Sequence, residues 1–539
     1  MLIINKKNVI KHKADFEKAG VKTGNIDIDA LATRTAENPR WVHFGAGNLF
    51  KAYHAVLAQR LIEDGLMDTG IIALVPNDFS SIEKLYTKND NLFLQVVMKA
   101  NGALDKRIIA AATHFVAANP ADSKAWNFIK TVFAKPSLQM VTITITEKGH
   151  DLKTMDGAFK PEILKEFDDG PNAPLHAMTK LTSLLWERYT KCAQPIAVLS
   201  TDNFSHNGDK LKNAILVVAK EWENRGKTDA GFTAYLSDPQ KVSFPLSMID
   251  KITPYASETV QKQLKKDGLD GMDIVKSPHG SSTALFVNTE EAEYLVVEDN
   301  FPNGRPPLEK AGVYFTTREK VDMVERMKVC TCLNPLHTAL AIFGCLLGYT
   351  SISAEMRDKD LTSLVHNIGY DEGMQVVTDP GIIKPSQFIH EVLTVRLPNP
   401  NIPDTPQRIA TDTSQKMAIR FGETIKAYKD SSSLNISNLK LIPMVIAAWC
   451  RYLLGIDDEG NAFTISPDPL LSELKEKLSG ITLGSTEGVE GKLKPILSNE
   501  NIFGVDLYKA GIGEKIENYF KQFLERPGAV RETLHENVI

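Results

Sequence analysis

The sequence predicts an α/β protein, with a doubly wound N-terminal domain followed by a mainly α-helical C-terminal one. Three observations carry this. Short apolar runs alternate with helical spacing from Trp41 to about residue 285, the pattern of strands joined by crossover helices. A glycine pair, Gly45-Ala46-Gly47, closes the first of those runs. Beyond about residue 300 apolar residues recur at helical rather than strand spacing.

Residues 1–40 are polar and mixed, and read as an extension packed on the first domain. Trp41-Val42-His43-Phe44 is the first strand, Ala52 to Leu66 has helical apolar spacing, and Gly70 to Val75 is the next strand. Val141 to Thr146 and Ile196 to Ser200 are further β-rich runs bounded by turn residues. These place the first domain at 41–285 and a helical domain at 286–539. One late β-like stretch, Tyr294 to Val297, precedes a turn-rich segment ending in Pro306-Pro307. Helical patterns then occupy 321–348, 387–396, 414–428, 438–454 and 513–526, with a glycine-bearing surface loop expected within 465–500.

The chain has 539 residues, 43% hydrophobic and 24% charged, with a net charge of −5 and no basic tract. That length divides into roughly two or three cores, and the charge argues against nucleic acid or an anionic membrane as partner. Five cysteines lack CxxC pairing, as expected of reduced thiols in a cytoplasmic enzyme. Cys330 and Cys332 are the nearest approach to a metal pair, and no metal is expected. The N-terminal Met1 to Lys7 has no apolar signal run. Leu336 to Leu347 is too short to span a bilayer and reads as a buried helix.

Gly45-x-Gly47 follows a strand and opens a helix, where glycines let the backbone approach a pyrophosphate resting on the helix N-terminus. Phe50 stands where the usual third glycine would be. Asp78, after the second strand, has two readings. It accepts from adenosine ribose hydroxyls, favouring NAD over NADP, or Asn77-Asp78 form a turn and cap a helix beginning near Ser80.

Reducing a ketone by hydride develops negative charge on oxygen, so the site needs a proton donor and fixed hydrogen-bond donors. No zinc ligand set is evident, and no tyrosine has a lysine four residues on. Lys328 remains as the candidate donor: burial would lower its pKa, with Glu325 tuning it. Asn334 can donate to the oxygen and His337 can orient a hydroxyl. The same residues also read as a surface lysine, an N-cap asparagine before Pro335, and a satisfied core histidine.

Several segments, in order, resemble the polyol-specific long-chain dehydrogenases, the family of mannitol dehydrogenase. They are Gly45-Ala46-Gly47-Asn48, Thr144 to Gly149, Thr201 to Gly208, Met248 to Pro254, Val297 to Pro306, the Lys328–Asn334–His337 segment, Asp412 to Lys416 and Ala448 to Tyr452. The resemblance implies a Rossmann-type NAD-binding domain, a helical substrate domain and zinc-independent chemistry. It makes Lys328 the general acid–base, Asn203 and Asn334 the oxyanion hole, and His337 and Asp250 hydroxyl-positioning residues. Arg408 and Lys416, eight apart, become substrate-binding cations able to face a carboxylate. Gly45, Ala46, Gly47, Asn48, Leu49, Asp78, Thr146 and Glu147 fall to the cofactor. Val297 to Pro306, Asp412 to Lys416 and Gly455 to Ala462 lean toward members that reduce D-fructuronate to D-mannonate. The Gly-x-Gly-Asn turn leans toward tagaturonate reductases, and mannitol 2-dehydrogenase is a third alternative. A non-catalytic sugar-acid or nucleotide sensor is the alternative of another class. A monomer or small homo-oligomer is expected.

Lys328 and Asn334 are six residues apart, one more than the family's usual spacing. At about 100° per residue, Lys328 and His337 would lie about 180° apart on a regular helix. Side-chain convergence therefore predicts a π-bulge or a break between Val329 and Asn334.

Overall fold

A computed structural model describes residues 1–154, 156–276 and 282–539. The chain divides into two compact units: Met1–Lys99 with Ala103–Val321, and Ala100–Gly102 with Asp322–Ile539.

Six parallel strands form the centre of the first unit: β1 (Trp41–Phe44), β2 (Ile71–Val75), β3 (Ala112–Ala117), β4 (Met140–Ile143), β5 (Ile196–Ser200) and β6 (Val242–Ser243). Their order is β6-β5-β4-β1-β2-β3, the doubly wound arrangement whose switch point lies between β1 and β4. Both faces are covered, which is why the strands read as continuous apolar runs. Ile71, Ala73 and Val75 join the core containing helix α1 (Ala55–Glu63). Ile72 and Leu74 join the opposite core, with helices α2 (Ser123–Phe133), α3 (Ala177–Lys191) and α4 (Asn207–Asn224).

The first unit runs to Val321, beyond the boundary read at residue 285. Phe286–Thr289 pairs in parallel with Phe93–Met98. Strand β7 (Ser247–Asp250) pairs with β8 (Tyr294–Glu298), and β8 pairs with β9 (Tyr314–Thr316). Those pairings tie the turn-rich 299–313 segment to the sheets before it. The first 40 residues are integrated likewise: Val21–Lys22 pairs with Lys106–Arg107, and Leu2–Ile3 with Leu269–Asp270.

The second unit is helical. Helix α5 (Arg318–Met327) enters it, and helices α6 (Asn334–Leu346) and α7 (Leu441–Tyr452) form its apolar centre, with every residue of α7 buried. The 465–500 region is more ordered than the loop expected there. It carries helices Leu471–Lys477 and Val489–Leu497, which bury Leu474, Val489, Leu493 and Ile496. The Arg318–Leu346 run passes the length and apolarity test for a membrane span, but 78% of its apolar window is buried, as in a core helix.

Candidate active site

In the first unit, β1 ends at Phe44 and the chain turns through Gly45 at φ +127. A Cβ there would stand 2.5 Å from the Thr144 carbonyl oxygen and 2.9 Å from its hydroxyl, so the end of β4 admits only glycine. Gly47 has no atom within 4 Å of its absent Cβ, which leaves open space at the start of the helix that follows. That helix begins at Asn48 and passes through a π turn, Phe50–His54, into α1. Its first N–H groups lack helical acceptors, and the start lies at the switch point, where such donors receive a pyrophosphate. The residues therefore fit a dinucleotide. Ala46 accepts from the Tyr86 hydroxyl at 3.4 Å, and Asn48 donates through Nδ2 to the Pro254 carbonyl at 3.1 Å. Leu49 is half-buried in the first helical turn.

Beneath this turn lie two buried histidines. His43 contacts the Thr142 and Thr144 hydroxyls at 2.7 and 2.8 Å and stacks on Phe50. Burial, then the neighbouring His54, holds His43 well below the usual histidine range, and burial lowers His54 to about 4. Both are neutral near pH 7, so neither histidine adds charge beneath the turn.

Asp78 lies past β2 in the left-handed region at φ 46, its Oδ1 accepting from Ser80 at 2.8 Å. A helical turn does begin at Ser80. Asp78 also lines a cleft of about 280 Å³ with Ser80, Ser81, Lys84 and Lys276. Thr146 holds φ 67 and ψ 160, unusual for a threonine. Its N–H donates to Asp202 Oδ1 at 2.8 Å, and Asp202 Oδ2 takes Ile145 N–H at 3.2 Å and contacts His150 Nε2 at 3.0 Å. Glu147 is exposed and pairs with Lys210 at 3.3 Å.

The loop that bears Asn203 is fixed from both sides. Asp202 anchors its start, and Asn207 Nδ2 donates to the Asp202 carbonyl at 2.9 Å and to the Ser247 carbonyl at 3.0 Å. Ser247 Oγ donates to the Ser200 carbonyl at 2.6 Å, so the loop is bonded to β7, whose last residue is the buried Asp250. The chain just beyond is pinned by Lys251, which donates to the Glu290 carbonyl at 2.8 Å and pairs with Glu293 at 3.2 Å.

In the second unit, Lys328 is buried at the head of a π turn, Lys328–Cys332. The turn closes by Leu333 N–H donating to the Lys328 carbonyl at 3.1 Å, and Leu333 breaks the helix at φ −133, ψ −61. The bulge and the break expected from the extra residue are both present. Helix α6 then starts at Asn334, and Pro335 sits in its first turn, where a missing N–H costs nothing. Asn334, His337 and Thr338 share one face of α6, and the Thr338 hydroxyl donates to the Asn334 carbonyl at 2.9 Å.

His337 Nε2 lies 3.4 Å from Asp404 Oδ2, at the limit of hydrogen-bond reach. Burial holds His337 below its usual range, with Asp404 opposing and Arg420 and Arg408 reinforcing. Burial works against the charge on Asp404, but His337 and Arg408 outweigh it and keep Asp404 low. Arg408 pairs with Asp404, while the Lys416 ammonium donates to the Thr411 carbonyl. His337, Asp404 and Arg408 are thus brought together. Ser414, between the two cations, is held by Asp468 at 2.8 Å through its N–H and 2.5 Å through its hydroxyl. Among the described residues no group of three or more His, Cys, Asp or Glu is placed to hold a metal.

Three polar groups bonded to or acting on these residues escaped the sequence reading: Asp202, Asp404 and Arg420. Asp202 directly precedes Asn203, Asp404 lies four residues before Arg408, and Arg420 lies four after Lys416. Helical i,i+4 spacing flags the last two.

Residues 39–310 match the mannitol dehydrogenase Rossmann domain and residues 320–524 the mannitol dehydrogenase C-terminal domain. The chain belongs to the mannitol dehydrogenase family. Within that family it is 49% identical to a D-mannonate oxidoreductase of Thermotoga maritima, over 99% of this chain and 98% of that one. A mannitol dehydrogenase family fold is equally evident in solved structures. A D-sorbitol dehydrogenase in substrate-free form matches with a TM-score of 0.79 at 25% identity, over 97% of this chain and 98% of that one. The Pseudomonas fluorescens mannitol 2-dehydrogenase ternary complex with NAD and D-mannitol matches in fold with a TM-score of 0.68 at 24% identity, over 99% of each chain.

Proposed function

We propose that the protein catalyses the reversible, NAD-dependent reduction of D-fructuronate to D-mannonate. The observation that carries this is the nearly full-length likeness, at 49% identity, to a D-mannonate oxidoreductase. The doubly wound sheet with its open Gly47 and the buried Lys328 are the physical parts such a reaction needs.

Gly45, Ala46, Gly47, Asn48 and Leu49 would hold the cofactor, with Asp78 available to accept from its ribose hydroxyls and Thr146 and Glu147 beside the β4 end. When bound, NADH supplies the hydride to the ketone carbon. Lys328 gives its proton to the ketone oxygen and takes one from the hydroxyl in the reverse direction. The Asn203 and Asn334 carboxamides donate to that oxygen as its charge grows. His337 and Asp250 orient hydroxyls, and Arg408 and Lys416 hold the rest of the sugar acid. The same reading makes it a cytoplasmic enzyme of a small molecule, with no nucleic-acid or membrane partner, acting as a monomer or small homo-oligomer.

Absorbance at 340 nm tests the proposal. NADH should be consumed with D-fructuronate, and much more slowly with D-tagaturonate or D-fructose. Binding of NADH without turnover of any of the three would make the protein a sensor. Lys328→Ala should lower kcat by about 10²–10⁴-fold, the usual worth of a general acid, while NADH still binds. Activity close to wild type would remove the lysine from the chemistry.

A further inference from the structure

Arg420 lies half-buried on a π turn, Ala418–Gly422, in the second unit. Its guanidinium donates to the Thr338 hydroxyl, which in turn donates to the Asn334 carbonyl at 2.9 Å. Arg420 is thus one hydroxyl away from the α6 face that carries Asn334 and His337. Its positive charge is felt at both His337 and Lys416, where it opposes a further proton.

Nearby carboxylates are committed elsewhere. Asp404 serves His337 and Arg408, and Asp468 holds Ser414 by its N–H and hydroxyl. Among the described residues no carboxylate pairs with Arg420, and burial alone lowers its pKa to about 10. A cation taken from water without a counter-charge is costly, and its cost is relieved only when an anion arrives. Arg408 is a weaker candidate for that anion, being 61% exposed at its side chain and already paired. Lys416 offers a point charge, whereas an arginine fork matches the two oxygens of a carboxylate.

We propose that Arg420 is the carboxylate anchor of the substrate site, the residue that selects sugar acids over sugar alcohols. This rests on the sugar-acid reading above. The carboxylate of the sugar acid takes the guanidinium edge not used by Thr338. A sugar alcohol presents a neutral CH₂OH there and leaves the cation uncompensated.

Dead-end binding tests this without turnover. The full-length protein, saturated with NADH, is titrated calorimetrically with D-mannonate and separately with D-mannitol. Wild type should prefer the acid. Arg420→Gln should weaken D-mannonate about 10–100-fold, the range expected for a charged hydrogen-bonded pair, and leave D-mannitol within about threefold, well below that range. Arg420→Lys should recover part of the loss. Thr338→Val, which removes the hydroxyl but keeps the guanidinium, should retain the preference for acid. Equal loss of both ligands in Arg420→Gln, no loss of either, or a Thr338→Val variant as impaired as Arg420→Gln would each reduce Arg420 to a structural clip and overturn the proposal. The fructuronate reading fails separately, in the absorbance assay, if wild type does not oxidise NADH with D-fructuronate.

Discussion

Gly45 and Gly47 are glycines for different reasons, and the difference is measurable. Gly45 combines a positive φ with a Cβ position 2.5 Å from the Thr144 carbonyl. Gly45→Ala should therefore cost about 1–3 kcal/mol of stability, as strained backbone does, visible as an earlier denaturant midpoint. Gly47 faces open space, so Gly47→Ala should unfold like wild type yet bind NADH roughly tenfold more weakly, through crowding of a bound group. Fluorescence titration with NADH reads the second effect. At this scale the sequence showed the residues that carry a motif and hid those that act through a partner. Asp202 holds the strained Thr146 turn by bonds to Ile145 and Thr146, over 50 positions away. Asp404 meets His337 only once α6 and the 404–409 segment are folded against each other. No local pattern reports such pairings.

Elements were legible where burial on two faces leaves a composition signal. Trp41–Phe44 and Ile196–Ser200 are strands as read, and the helical patterns read at 438–454 and 513–526 contain the helices Leu441–Tyr452 and Gly513–Leu524. The boundary at 285 moved to Val321 because Phe286–Thr289 and Tyr294–Glu298 are short strands completed by distant partners. The π turn at Lys328–Cys332 was legible for a geometric reason. One residue too many between lysine and asparagine has to be absorbed, and an i→i+5 turn takes it up in nearly the angle of an ordinary turn. Deleting Val329, half-buried within that turn, should convert it to regular helix while keeping Lys328 and Leu333 at its two ends. Turnover of that variant should stay within about tenfold of wild type, a change of roughly 1.4 kcal/mol in barrier. A much larger loss would mean the bulge itself sets the lysine.

Across the whole molecule, stability carries a pH signature in Glu355. Its side chain is buried beside Gly344, with neither carboxylate oxygen hydrogen-bonded among the described residues. Burial, with Asp358 adding, raises it from an ordinary 4.5 to about 9. The folded state therefore binds the proton more tightly than the unfolded chain. This contribution is complete below about pH 4.5 and is lost progressively as pH rises toward 9. Glu355→Gln should flatten that alkaline fall in Tm, and an unchanged slope would mean the carboxyl finds a partner. The bond from the Asn48 carboxamide to the Pro254 carbonyl has a kinetic consequence. It straps the nucleotide loop to the stretch just past Asp250, so filling the loop should stiffen that residue, proposed above to orient a hydroxyl. Coenzyme should accordingly enter first and leave last, and product-inhibition patterns should show the compulsory order, relaxing toward random entry in Asn48→Ala.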